Sequence, residues 1–248
     1  MNLALSRDAR NLSYGFAIAG IVVAALVFAA SSGSAARTMR VLSDRTDGIL
    51  IQDKGKFRIS VNGAQLGTEE FDIHPNGDRW IAQGTAEIRP PGAEQTHVMA
   101  HLTLQPNGEP VSYDWSTQGS KKASAEIQFQ NSVATILLHL ENAKPYTQQF
   151  TFSTPVIAIL DNNLYHQYAI LARLYDREKK GKQTISVLIP QEMTPGSVTV
   201  ESISPGGGNF AEELQVETTD LEVDLFLDAK GRLMKLTAPA SNAEIVRQ

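Results

Sequence analysis

The sequence predicts a mainly β protein: a single antiparallel meander of about 10–11 strands, forming a curved sheet or open barrel with one covering α-helix. An apolar helix is expected ahead of it. Three observations predict this class. Apolar and polar residues alternate with period two from about Ile49 almost to the C-terminus. Gly, Pro and Asn turn signals punctuate the alternation about every 8–12 residues, leaving no room for the helical crossovers that parallel strands need. Helical spacing appears only once in the body, over residues 161–176.

The first element is the run 14–30, YGFAIAGIVVAALVFAA, which carries no charge. Arg7 and Arg10 precede it and the small-residue stretch SSGSAA follows it. Two readings fit. A signal peptide has a basic n-region, an apolar core of about 7–15 residues and a small-residue cleavage site, here near Ala36. A retained single-pass anchor needs about 17–25 apolar residues, and this run reaches the lower limit. Both readings export the body, to the periplasm or cell envelope: soluble after cleavage near Ala36, or held at the membrane by the N-terminal run if it is retained. The organisation is then 1–36 signal or anchor, 37–48 linker and 49–248 one β domain.

Within the body, KFRISV sets Phe57, Ile59 and Val61 on one face, and Asn62-Gly63 is a strong hairpin signal. QLGTEEFDIH and RWIAQGTAEIR follow, parted by Pro75-Asn76-Gly77-Asp78. THVMAHLTLQ aligns Val98, Ala100, Leu102 and Leu104, and VSYDWSTQ, SAEIQFQ and VATILLHLE continue the meander. DNNLYHQYAILARLYD breaks the pattern: Leu164, Tyr168, Leu171 and Tyr175 recur at helical spacing, with Asp161 as the expected N-cap. Strands resume with QTISVLIP, SVTVESI, AEELQVET, LEVDLFLD and RLMKLTAP. The glycine-rich 205–208 segment reads as a long turn.

This arrangement resembles the open-barrel envelope family of lipoprotein-localisation carriers and related periplasmic domains of unknown function. The likeness is carried by KFRISVNGAQLGTEEFDI, by LEVDLFLDAKGRLMKLTAP with its D-x-x-G-R turn (Asp228, Gly231, Arg232), and by the helix between them. It spans residues 56–238 at the level of arrangement. The resemblance implies a hydrophobic concavity that shelters acyl chains, and no catalytic residue carries over. The carriers use several helices where this chain shows one.

Composition narrows the chemistry. A net charge of -5 lacks the basic footprint of nucleic-acid binding. The chain has no cysteine, which excludes disulfides, thiolate catalysis, Cys-type metal centres and a lipidated N-terminal cysteine. His97 and His101 share a strand face, but about 13 Å of strand rise parts their Cα atoms, so no metal site is assigned. Glu69, Glu70, Asp72, Glu212, Glu213, Asp220, Glu222 and Asp224 read mostly as solvated strand faces, and no nucleophile elbow is present. No cofactor is implied. The candidate ligand-binding residues are Leu164, Tyr165, Tyr168, Leu171 and Tyr175, facing a space between helix and curved sheet. The leading functional expectation is a non-catalytic envelope protein that binds a lipid or other apolar ligand there. The alternative is an envelope protein-interaction scaffold using strand edges and acidic faces, with an enzyme of unrecognised type third.

Overall fold

Turn chemistry builds the hairpins as expected. Asn62 and Gly63 both take positive φ (51° and 76°), as do Asn131 and Ser132 (49° and 63°), the conformation of tight turns that match strand twist. The computed structural model describes residues 48–119, 122–204, 209–218 and 221–248. The run at 14–30, its expected helix and the cleavage site near Ala36 lie outside those residues. No helix among the described residues is long and apolar enough to cross a membrane.

Among the described residues, fifteen strands form one sheet. β1 (Asp53–Val61), β2 (Ala64–Asn76), β3 (Arg79–Ile88), β4 (Thr96–Leu104), β5 (Pro110–Gln118), β6 (Ala123–Gln130), β7 (Val133–Leu140) and β8 (Tyr146–Thr151) meander outward from the middle. The chain then passes to the opposite edge with β9 (Ala158–Ile159) and the helix α1 (His166–Leu174). It returns through β10 (Gln183–Ile189), β11 (Thr194–Ile203), β12 (Glu212–Glu217), β13 (Glu222–Leu227), β14 (Leu233–Ala238) and β15 (Ala243–Arg247), which pairs antiparallel with β1. Every pairing is antiparallel except β9 with β10. The twelve segments expected to be strands are all present, against an expected total of about 10–11, and β8, β9 and β15 bring the number to fifteen.

The connection between the two edges forces curvature. Thr151 and Ala158 are seven Cα steps of at most about 3.6 Å apart, so the edges lie within about 25 Å of each other. A flat sheet of this many strands, spaced about 4.8 Å, would hold them about 70 Å apart. The sheet therefore rolls into an open barrel. Its inner face is the predicted one: Phe57, Ile59 and Val61 of β1, Val98, Ala100, Leu102 and Leu104 of β4, and Val223, Leu225 and Leu227 of β13 are all buried.

The helix differs from expectation in extent and setting. It spans His166–Leu174 rather than 161–176, and Asp161 is not its N-cap; Tyr165 holds that position without a side-chain cap bond. Seven consecutive helical residues, His166 to Ala172, are buried. A helix buried on every side lies inside the roll rather than laid across a sheet.

The two halves of the chain meet at β1 and β15. Ile245 opposes Ile59 on one side and Leu236 on the other, with all three at most 1% exposed. Beside it Arg247 makes a two-pronged pair with Asp53 (Nη1–Oδ2 2.9 Å, Nη2–Oδ1 2.6 Å) and stacks over Phe71 at 5.4 Å. Ile245→Ala is expected to cost about 2–5 kcal/mol, the range for truncating a buried aliphatic side chain. Both tryptophans, Trp80 and Trp115, lie in the N-terminal half. Their fluorescence and far-UV circular dichroism should therefore shift together in urea; separate transitions would show that the halves fold independently.

Candidate functional site

Among the described residues, the buried polar side chains Glu69, Asp161, Asn163, His166 and Gln167 gather at the start of α1. A helix leaves its first N–H groups without intrahelical partners, and an enclosed helix has no water to supply them. Here the partner comes from β2, 97 residues away. Tyr165 N–H donates to Glu69 Oε2 at 2.7 Å, and His166 N–H donates to both carboxylate oxygens at 3.3 and 3.4 Å. His166 Nδ1 lies 2.5 Å from Glu69 Oε1, so the tautomer with its hydrogen on Nδ1 donates a further bond. Both side chains are fully buried. A negative carboxylate at a helix N-terminus also meets the positive end of the helix dipole.

The surroundings are shaped for this pair. Phe71 stacks on the His166 ring at 6.1 Å and on Phe57 at 4.9 Å. Gly84 of β3 opposes Phe71, and a Cβ there would fall 2.5 Å from His166 Cε1 and 3.0 Å from Glu69 Oε1. Only glycine leaves room for the imidazole.

A second cluster adjoins the first. Tyr113 Oη donates to Asp161 Oδ2 at 2.5 Å, Gln167 Nε2 donates to Tyr113 Oη at 3.0 Å, and Asp161 N–H donates to Gln167 Oε1 at 2.5 Å, closing a ring. Gln191 N–H donates to Asp161 Oδ1 at 2.9 Å, tying the ring to the segment after β10. Burial pushes the Asp161 carboxyl up to about 7, against the pull of the Tyr113 and Gln191 bonds. Burial, and next the Asp161 charge, hold the Tyr113 phenol well above its ordinary value. His166 Nε2 and Tyr165 Oη are buried without a hydrogen-bond partner among the described residues.

The five residues expected to line a ligand space sit in the core. Leu164, Tyr165, Tyr168, Leu171 and Tyr175 are 0–6% exposed and belong to the main hydrophobic cluster. A void of about 10 Å³, room for one water, lies between Ala169, Ile170 and Arg173 of the helix and Leu50 and Ile73. Tyr175 alone of the five also borders a larger cavity, outside the barrel core.

The remaining candidates lie mostly outside. His97 and His101 are exposed on the outer face of β4, as the alternation requires. His101 joins Asp72, Gln83, Asp114 and Glu126 in one row across β2 to β6, bordering a shallow groove of about 710 Å³. Desolvation, then the facing Glu126, raise the Asp114 carboxyl, and His101 opposes the shift. No group of three or more His, Asp or Glu among the described residues is arranged to hold a metal ion. Glu69 corrects the expectation of solvated carboxylates. Its signal was present in the sequence, because Glu69 is in phase with Phe71 and Ile73 on the buried face of β2.

No protein-family model and no curated protein sequence matches the chain. Among solved structures it is similar to the crystal structure of a β-barrel-like protein, a domain of unknown function (DUF1849) from Brucella abortus. The TM-score is 0.56 at 7% identity, over 80% of this chain and 95% of that one. A DUF1089 family protein from Pseudomonas aeruginosa gives 0.42 at 8% identity, over 84% and 98% respectively. The first likeness shows a shared β-barrel-like fold.

Two variants separate the roles of these clusters. Glu69→Ala strands two backbone N–H groups and His166 inside the barrel, and the expected loss is about 3–5 kcal/mol in urea unfolding. Asp161 governs pH dependence. An acid whose pKa is higher folded than unfolded binds its proton more tightly in the folded state. Stability is then greatest below the unfolded value near 3.8 and falls as pH rises through the window to about 7. The fall is on the order of 4 kcal/mol and levels off above that window. Asp161→Asn should flatten this segment of the stability–pH curve; an unchanged slope would show that Asp161 is ionised throughout.

Proposed function

We propose that the protein is an exported, non-catalytic module of the cell envelope that takes a protein partner by strand addition at β8. The carrying observation is the asymmetry of the two sheet edges. β9 is closed: Ala158 and Ile159 are 2–3% exposed, paired with β10 and followed directly by the buried helix. β8 is open: none of its six residues is buried, and no strand pairs with its outer side among the described residues.

Sheet edges are ordinarily protected by charge, proline or a bulge. YTQQFT contains neither charge nor proline, and its register with β7 is unbroken from Thr151 opposite Val133 to Tyr146 opposite Leu138. Phe152 N–H donates to Ser132 O at 2.8 Å. By antiparallel alternation the even-numbered residues of β8 then bond β7, and Thr147, Gln149 and Thr151 turn their backbone groups outward. Tyr146, 54% exposed at the start of the strand, supplies the aromatic anchor that protein interfaces favour. An extended segment of a partner fits this edge, with main-chain bonds giving affinity. A lipid between helix and sheet, by contrast, has to displace Leu164, Tyr165, Tyr168 and Leu171 from close packing.

A photo-crosslinking residue at Tyr146, in the full chain within cells, tests the proposal. The expected adduct is a discrete protein partner, lost in Gln149→Pro, which removes an outward N–H while sparing the β7 ladder, and kept in Gln149→Ala. An adduct indifferent to the proline, a second copy of this chain as the adduct, or saturable uptake of a fluorescent fatty acid by the purified protein would overturn it.

A further inference from the structure

The cavity that Tyr175 borders carries charge of the opposite sign to the protein. It has a volume of about 620 Å³ and lies between the segment after α1, the start of β12 and the β13–β14 turn. Four cations line it, Arg173, Arg177, Lys180 and Lys230, against two carboxylates, Glu212 and Asp228. The whole chain has a net charge of -5.

Both carboxylates are already committed. Glu212 Oε2 accepts from Arg177 Nε at 2.9 Å and Nη2 at 2.7 Å. Asp228 Oδ2 lies 2.7 Å from Arg232 Nη2, and its Oδ1 accepts the backbone N–H groups of Lys230 and Arg232 at 2.9 Å. Arg173, Lys180 and Lys230 have no ion pair among the described residues. Three unpaired cations thus border one concave space.

Arg173 is held rigidly. Its Nη2 donates to Lys230 O and Gly231 O, both at 2.7 Å. Gly231 has φ +69°, and a Cβ there would lie 2.7 Å from that same Nη2, so the turn is shaped around the guanidinium. Tyr175 Oη donates to Gly181 O at 3.1 Å, closing the loop that bears Lys180. The negative end of α1 does not face the space bare, since Arg177 Nη1 donates to Ala172 O and Tyr175 O. Burial, then the neighbouring Arg177 charge, lower the Arg173 pKa, while Asp53, Glu212 and Asp228 oppose the shift.

We infer that this cavity binds the phosphate group of an anionic ligand, with Arg173, Lys180 and Lys230 as its partners. A preorganised guanidinium suits phosphate oxygens, and flexible ammonium groups complete the charge. The volume exceeds a lone phosphate several-fold and accommodates the group that carries it. Position favours a phospholipid headgroup as the source, a preference that rests on the envelope reading above. Gly108 packs between Ile49 and Leu174, and Ile49 N–H donates to Pro106 O. The described chain therefore starts at the end of the barrel where α1 ends, the cavity's own end, only 17 residues after the apolar run 14–30.

The test uses the full chain in neutral detergent, titrated calorimetrically with inorganic phosphate and sn-glycerol 3-phosphate. Saturable binding is expected, weakened at least about tenfold by Lys180→Gln with Lys230→Gln, with the urea midpoint little changed, and by Arg173→Lys. A membrane arm follows hydrogen exchange of the full chain in nanodiscs of phosphatidylcholine with and without phosphatidylglycerol. New protection of 175–181 and 228–231 with the anionic lipid alone assigns the source to headgroups. Binding of glycerol phosphate without that protection overturns the headgroup source and leaves a soluble phosphate ester. No saturable binding in either arm, or binding indifferent to the three substitutions, overturns the site. None of these results depends on the β8 edge, so this inference and the strand-addition proposal fail separately.

Discussion

The Glu69 carboxylate at the start of α1 is the interaction on which the architecture turns. A nine-residue helix is too short to be stable alone. This one lacks both a side-chain cap of its own and an acidic residue in its first turn. Enclosed by sheet on all sides, it must receive its missing acceptor from the wall, and β2 supplies it as a charge. Burying that charge is tolerable because the N–H groups of Tyr165 and His166 and the His166 ring all bond it. The consequences spread through the neighbouring strands. Gly84 has to be glycine to admit the imidazole, and Phe71 has to be flat against it. Arg247, at the end of β15, also lies over the Phe71 ring and so links the C-terminal strand to the same assembly.

The second constraint is topological. A fifteen-stranded sheet whose two edge strands are consecutive in the chain can only be a roll, and the connection decides what happens at the seam. The chain leaves β8, reaches β9 within six residues and dives inward as α1. That route covers one edge with the helix and leaves the other uncovered. The exposure of β8 is therefore a result of chain direction: the segment available to close the seam is used to fill the interior.

Much of the wall was legible in the sequence, because alternation and turn chemistry are local. Asn62-Gly63, Pro75-Asn76-Gly77 and Pro106-Asn107-Gly108 mark hairpins without reference to the rest of the chain, and the inward faces of β1, β4 and β13 follow from period two. The missed strands lack that signal. YTQQFT of β8 has no apolar alternation, Ala158–Ile159 is too short to show a period, and AEIVR of β15 is recognisable mainly by the partner it finds in β1. The helix shows the same limit from another side. Asp161 has the chemistry of an N-cap, but the acceptor that sets the helix start is Glu69, brought there by the roll. His166, Gln167 and Ala169 are buried by closure of the sheet, which no local pattern records. Glu69 itself was readable, since a carboxylate in phase with Phe71 and Ile73 has to face inward.

The same closure shifts the functional weight to the outside. The tyrosines and leucines of the helix region, at ligand-like spacing in the sequence, are the packing that fills a roll too wide for wall side chains alone. Glu69 bonds His166, and Tyr113, Asp161 and Gln167 bond one another, so most of these polar groups serve the interior's own cohesion. The surface retains two kinds of unused valence: backbone groups along a neutral edge, and three cations around a cavity in an otherwise acidic protein. They differ in what they can recognise. An edge of bare N–H and C=O groups is indifferent to ionic strength and reads an extended backbone, whereas a cluster of cations is screened by salt and reads charge. Ionic strength therefore distinguishes engagement of the edge from engagement of the cavity even when both occur in one molecule.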